Sequence, residues 1–116
     1  MKLNAIVATL PCRDLAATSA FYSRLGFEEK GRWDDYMIMV SGPHELHFAK
    51  PEDGFLKRGQ NPSGIYLRVS DIEDWAKPFG AKIETTDYNM RQFALGDPDE
   101  NLIRIGEYII PPGGAV

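Results

Sequence analysis

Apolar positions recur along this chain in two rhythms, one of three to four residues and one of two, and the alternation marks out helices and strands. Between Asp14 and Gly26, the residues Leu15, Thr18, Phe21, Tyr22 and Leu25 fall on one helical stripe. Asp14 suits the N-cap, because its carboxylate can accept orphan N–H groups of the first turn, and Gly26 suits the left-handed position that ends a helix. Around this helix the pattern predicts strands at about 4–10, 27–32, 36–40 and 44–50, with turns at Asp34-Asp35 and Ser41-Gly42-Pro43. Pro11 closes the first strand, where it deletes no central ladder bond. Lys50 to Ser63 lacks periodicity and reads as a linker or functional loop. Ile65, Leu67 and Val69 then alternate with Tyr66 and Arg68 as a half-buried strand does, and Asp71 is expected to cap a second helix with Ile72, Trp75, Ala76 and Phe79 in its core stripe. Pro78 predicts a break near Lys77. Strands are expected next at about 81–86, 91–96 and 101–106, the last two joined by the turn-rich G-D-P-D-E-N, and Tyr108 opens a tail expected to pack briefly before fraying.

The two halves share this plan. Asp14-Leu15 is matched by Asp71-Ile72, Gly26-Phe27 by Gly80-Ala81, and H-E-L-H-F at 44–48 by N-L-I-R-I at 101–105. Each half is a βαβββ module. The expected class is α+β, in a single domain over residues 1–116: module 1 at about 1–50, a linking loop at 51–63, module 2 at about 64–107 and a C-terminal tail at 108–116. Side-chain identity between the halves is thin, so two unrelated α+β segments remain the alternative.

Composition narrows the functional classes. With 116 residues, 43% hydrophobic and 26% charged, the chain is long enough for one cored globular domain and too short for two. No apolar run approaches the roughly 20 residues of a membrane span. The opening M-K-L-N-A-I-V-A-T-L places a lysine before apolar residues, as a signal peptide does, but Asn4 and Thr9 interrupt the run and it leads into a capped helix, so none is expected. The lone Cys12 cannot close an internal disulfide; it fits a reducing cytoplasm and reads as a small packed residue. A net charge of −4 without a basic stripe argues against a nucleic-acid partner and is compatible with a cationic ligand.

The stretch L-P-C-R-D-L-A-A-T-S-A-F-Y-S-R-L-G-F, together with Y-L-R-V-S-D-I and D-P-D-E-N-L-I-R-I, resembles the vicinal-oxygen-chelate superfamily, which holds the glyoxalases, ring-cleaving dioxygenases and bleomycin resistance proteins. Within it the resemblance is to the bleomycin resistance group, over roughly Ala8 to Glu107. It implies two βαβββ modules with curved mixed sheets forming cups, and a homodimer whose first strand is exchanged about a hinge at Pro11. It also implies four metal positions: one seven residues before each helix-opening Asp and one on the last strand of each module, here Val7, His47, Gly64 and Arg104. Only His47 can ligate a divalent ion, and Arg104 puts a fixed cation in the metal's seat. No metal, cofactor or catalytic residue is therefore expected. An Arg at the last of these positions is a trait of the bleomycin resistance group.

If the cup holds rather than converts a molecule, its lining matters most. Parity sends Tyr66 and Arg68 inward with Gly64, His47 inward with Glu45, and Arg104 inward with Leu102; His44 and His47 fall on opposite faces. Trp33, Tyr36, Phe55 and Tyr88 also lie outside the helical stripes, and flat rings clamp a planar heteroaromatic ligand by stacking. The candidate ligand-binding set is Trp33, Tyr36, His47, Phe55, Tyr66, Arg68, Tyr88 and Arg104. The expected function is non-catalytic sequestration of a bleomycin-class glycopeptide at a cytoplasmic homodimer interface, with neither nucleic acid nor membrane as partner. The alternatives are a metal-dependent lyase or dioxygenase of the same superfamily, and a binding module for another planar metabolite.

Overall fold

The computed structural model describes residues 1–109. Strands β1 (Ala8–Pro11), β2 (Glu28–Arg32), β3 (Tyr36–Ser41) and β4 (His44–Ala49) surround helix α1 (Leu15–Ser23) in the first module. The second runs β5 (Gly64–Arg68), α2 (Ile72–Ala76), a 3₁₀ turn at Lys77–Phe79, β6 (Glu84–Thr85), β7 (Met90–Gly96) and β8 (Leu102–Tyr108). Both are βαβββ, and the fold is α+β. The chain divides into two compact units: residues 1–63 with the turn 96–101, and the remainder from Gly64.

In the first unit the strand order is β1-β4-β3-β2, with β1 parallel to β4 and the other pairs antiparallel. Asp14 Oδ accepts the Ala17 N–H at 3.0 Å and Gly26 sits at φ 84°, so α1 starts and ends as its sequence predicts. The alternation holds: Met37, Met39, Leu46 and Phe48 are buried on the helix side, while Tyr36, Ile38, Glu45 and His47 form the open face. Tyr22 is fully buried, with its ring edge-on to Phe27 and tilted against Phe48 at 4.8 Å. Its hydroxyl donates to Asp97 at 2.8 Å. Asp97 also accepts the Asp99 and Asn101 backbone N–H groups and the Asn101 amide, and that amide donates on to Pro11 O. The loop after β4 is tied to the same turn: Asn61 donates to Asp99 O and Asn101 Oδ1, and Gly59 N–H to Glu100.

The first strand is shorter than its pattern predicts. The ladder stops at the Ala8–Leu46 pair although β4 continues two residues further, to His44, and residues 1–7 stand exposed without a ladder.

The second unit has the order β5-β8-β7-β6, again with its first and last strands parallel. Three expectations are corrected here. Asp71 does not cap α2 through its side chain: it sits in the left-handed region at φ 57°, and the Glu107 carboxylate accepts the Asp71 and Ile72 N–H groups instead. Trp75 is half-buried rather than core, because its indole N–H must reach Ser70 O at 3.2 Å. Strand β6 shrinks to two residues, since Ala81 N–H is still held by Ala76 O at the end of the helical segment. The break near Lys77 is as expected, with Pro78 in the 3₁₀ turn. Of the expected tail, Tyr108 ends β8 and Ile109 donates its N–H to Asn89 O, while positions 110–116 lie outside the described residues.

Candidate functional site

On the open face of the first unit, Gly31, Ile38, His47 and Thr9 stand side by side across the four strands. Trp33, from the β2–β3 hairpin, folds back over Gly31 at one end of this row. A Cβ on Gly31 would come within 2.7 Å of the indole, so the glycine is what lets the ring lie on the sheet. Trp33 remains 57% exposed, a large flat apolar surface with nothing over it in the described chain.

Beside it, Tyr36 Oη and His47 Nδ1 are 2.6 Å apart with rings nearly perpendicular, and His47 Nε2 lies 3.3 Å from Glu45 Oε2. A carboxylate only accepts, so Nε2 carries the proton, and on the neutral ring Nδ1 accepts from the Tyr36 hydroxyl. Glu45 is completed by Lys30 at 3.3 Å, and the His47 hydrogen bond, then that from Lys30, holds its carboxyl below the usual range. The result is a hydroxyl–imidazole–carboxylate chain that fixes the orientation of Tyr36.

The same chain bears on the metal that the fold family implies. Both His47 nitrogens are engaged within the protein, and Val7 offers no donor. In the second unit, a Cβ at Gly64 would lie 2.7 Å from Leu102 O, so that position has no room for a ligand-bearing side chain without backbone movement. Arg104 is a fixed cation. Among the described residues no group of three or more His, Cys, Asp or Glu is placed to hold a metal ion. The residues present do not fit that metal.

The open face of the second unit is built around Tyr66. Its hydroxyl donates to Gln92 Oε1 at 2.9 Å, and its ring crosses β8 above Gly106, where a Cβ would collide with it. The Arg104 guanidinium lies 4.7 Å from the Tyr66 ring centre, and the Arg68 guanidinium 4.8 Å from that of Tyr108. Two candidates join neither face by any side-chain contact described. Tyr88 is 54% exposed in the β6–β7 turn, and Phe55 is 74% exposed in the long loop, whose buried anchor is instead Leu56. The structure thus brings together Trp33, Tyr36 and His47 in one unit, and Tyr66, Arg68 and Arg104 in the other. Sequence reading missed Lys30, Gln92 and Tyr108; continuing the parity of Arg104 by two steps along β8 would have found Tyr108.

A family model described as the Glyoxalase/Bleomycin resistance protein/Dioxygenase superfamily matches residues 2–105. No curated protein matches the chain. Among solved structures, a bleomycin resistance determinant encoded on transposon Tn5 is 28% identical with a TM-score of 0.78, over 91% of this chain and 98% of that one. A bleomycin-binding protein complexed with bleomycin is 27% identical with a TM-score of 0.76, over 90% and 98%. A lactoylglutathione lyase from Agrobacterium tumefaciens shares the fold at 18% identity and a TM-score of 0.70, over 91% and 95%. With the fold, the paired modules and a family match across nearly its whole length, this chain belongs to the glyoxalase/bleomycin resistance protein/dioxygenase superfamily.

Proposed function

We propose that this protein confers resistance by binding and sequestering a bleomycin-class glycopeptide, without catalysis, in cups at the interface of a cytoplasmic homodimer. The observation that carries the reading is the likeness, near full length and at 27–28% identity, to a bleomycin resistance determinant and to a bleomycin-binding protein complexed with its drug. The exposed indole of Trp33, laid on the sheet beside the Tyr36–His47 pair, supports it: such a surface suits a planar heteroaromatic segment, each stacked ring adding about 0.5–1.5 kcal/mol beyond area burial. A homodimer is supported by the arm ahead of β1, where Leu3 and Ile6 are 75% and 86% exposed. That arm borders an open groove of about 850 Å³ lined by Val7, Lys30, Val40, Pro43 and Glu45 among others. Cys12, buried and with its thiol pushed up to about 11 chiefly by that burial, is inert and suits a reducing compartment.

Calorimetry with metal-free and copper-loaded bleomycin tests the proposal. Binding is expected at one drug per cup, and Trp33→Ala should weaken it about tenfold, which corresponds to about 1.4 kcal/mol. No heat at tens of micromolar protein sinks the drug reading. The family's metal-dependent lyases and dioxygenases supply the competing reading, and a stoichiometric divalent ion in protein purified without chelator would favour it.

A further inference from the structure

The second unit treats its arginines in two ways. On the helix side of the sheet, Arg91 is paired with Glu73 at 2.6 Å and lies 3.9 Å from Glu107. In the first unit, Arg13 and Arg32 likewise have Asp99 and Glu29. Arg68 and Arg104, on the open face, have no carboxylate among the described residues; each lies instead over a tyrosine ring. Register places Tyr66 beside Arg104 and Arg68 beside Gly106, so the two arginines occupy diagonal positions on adjacent strands. A strand spacing of about 4.8 Å and a rise of about 3.3 Å per residue put them roughly 8 Å apart at the backbone. Among the strands of that face the acidic residue is Glu84, on the edge strand β6 beside Gln92, and it is ion-paired with neither arginine.

Two like charges on one exposed face repel, and a cation–π contact holds each guanidinium over a tyrosine ring without satisfying the hydrogen-bonding capacity of its N–H donors. Planar five-donor forks of this kind are matched by carboxylate and phosphate oxygens. We propose that the open face of the second unit is a receptor for an oxyanion carried on a small planar molecule, a carboxylate or phosphate monoester that bridges Arg68 and Arg104 while the planar part lies along Tyr66. The charge of this face is opposite to that of the cationic ligand which the overall acidity of the chain suggests. The inference rests on reading the face as a ligand surface, and not on the identity of the drug.

The test tracks the arginine Nε–Hε resonances of isotopically labelled full-length protein during titration with benzoate, phenyl phosphate and inorganic phosphate, with benzamide as the neutral isostere. Saturable shifts at Arg68 and Arg104 with benzoate or phenyl phosphate, at least tenfold weaker for benzamide and for Arg104→Gln, bear the proposal out. Weaker saturation by inorganic phosphate than by phenyl phosphate bears out the planar part, and equal affinity overturns that part. Shifts that rise linearly without saturating, or an equal response to benzamide, overturn the whole. Should Arg104→Gln not fold, Arg68→Lys keeps the charge at an exposed position and loses the fork. It should bind at least threefold more weakly, and unchanged affinity overturns the bridging role. Bleomycin calorimetry on the same samples separates the two readings. Oxyanion shifts without drug heat refute only drug capture, and drug heat without oxyanion shifts refutes only this inference.

Discussion

Tyr22 is fully buried and yet polar at its tip. Its hydroxyl donates to Asp97, itself buried, and burial together with that carboxylate drives the phenol far above its ordinary range, so it stays protonated and donating. Tyr22→Phe keeps the ring contacts and takes one donor from a buried carboxylate. Asp97 retains the Asn101 amide and two backbone donors, so the expected cost is about 1–2 kcal/mol, read as a lower urea midpoint with an unchanged slope. A loss below about 0.5 kcal/mol would mean that water replaces the hydroxyl. Asp99, two residues on, makes a prediction about pH. Burial, outweighing its hydrogen bonds from Arg13, holds its carboxyl above the ordinary 3.8. Between 3.8 and its native value the folded chain therefore holds more proton than the unfolded one, and this residue's contribution to stability falls as pH rises. Glu29, Glu45 and Glu73 act in the opposite sense. Arg32, His47 and Arg91 hold them below 4.5, so their small exposed contributions are present at neutral pH and lost as pH falls through their native values. Asp99→Asn keeps an acceptor for Arg13 and removes only the first effect. Its stability relative to the parent should improve in urea titrations as pH rises from 3.8 through the native value of Asp99, and a flat difference counts against the burial account.

At the scale of elements, the two helices begin with the same letters and by different physics. Asp14 is extended at φ −129° and its carboxylate caps α1; Asp71 is left-handed and its helix is capped by Glu107. Asp14→Ala should therefore cost about 1 kcal/mol, the usual worth of an N-cap. Asp71→Gly should cost nothing or stabilise by up to about 1 kcal/mol, because glycine accepts a positive φ without strain. Glu107→Ala should behave as the true cap deletion for α2. Thermal melts of the three variants check the set, and a loss at Asp71→Gly matching that at Asp14→Ala contradicts it. This pair also marks what the sequence makes legible. The strands with Met37, Met39, Leu46 and Phe48 on one face and Tyr36, Glu45 and His47 on the other are dictated by period two alone, and the open-face placement of Tyr66, Arg68 and Arg104 comes with it. S-D-I-E-D carries no local sign that its aspartate is left-handed, since the cause lies on another strand 36 residues later. The Tyr66–Gln92 bond, at a separation of 26, and the Tyr22–Asp97 bond, at 75, were illegible for the same reason: periodicity reports a face, and only register reports a partner. In the long loop the aromatic Phe55 stands exposed while its plain neighbour Leu56 is the buried anchor, a division of roles that composition does not announce.

At the scale of the whole molecule, the arm of residues 1–7 needs a cover. Leu3 and Ile6 are exposed, and β1 itself is an edge strand already paired to β4 of its own chain. Burying each of these two side chains is worth roughly 1.5–3 kcal/mol, and twofold symmetry counts every such contact twice. Four burials amount to roughly 6–12 kcal/mol, which is comparable with the roughly 4–15 kcal/mol that association costs in lost freedom. On that balance the arm would supply the margin that decides association in the proposed homodimer. Light scattering after gel filtration should find the parent at twice its 13.0 kDa chain mass. A variant lacking residues 1–7 should run at the single-chain mass. Leu3→Asp with Ile6→Asp should do the same, since a charge buried at an interface without a partner opposes it. The variants must keep the parent's circular dichroism, because neither change touches α1 or the ladder from Ala8 onward. If capture takes place in cups shared between protomers, bleomycin affinity must fall with the dimer, and restoring association with a covalent linker between two truncated chains should restore binding. A truncated chain that still dimerises, or a monomer that binds the drug as tightly as the parent, shows that the arm has another purpose and that the cup is complete within one copy.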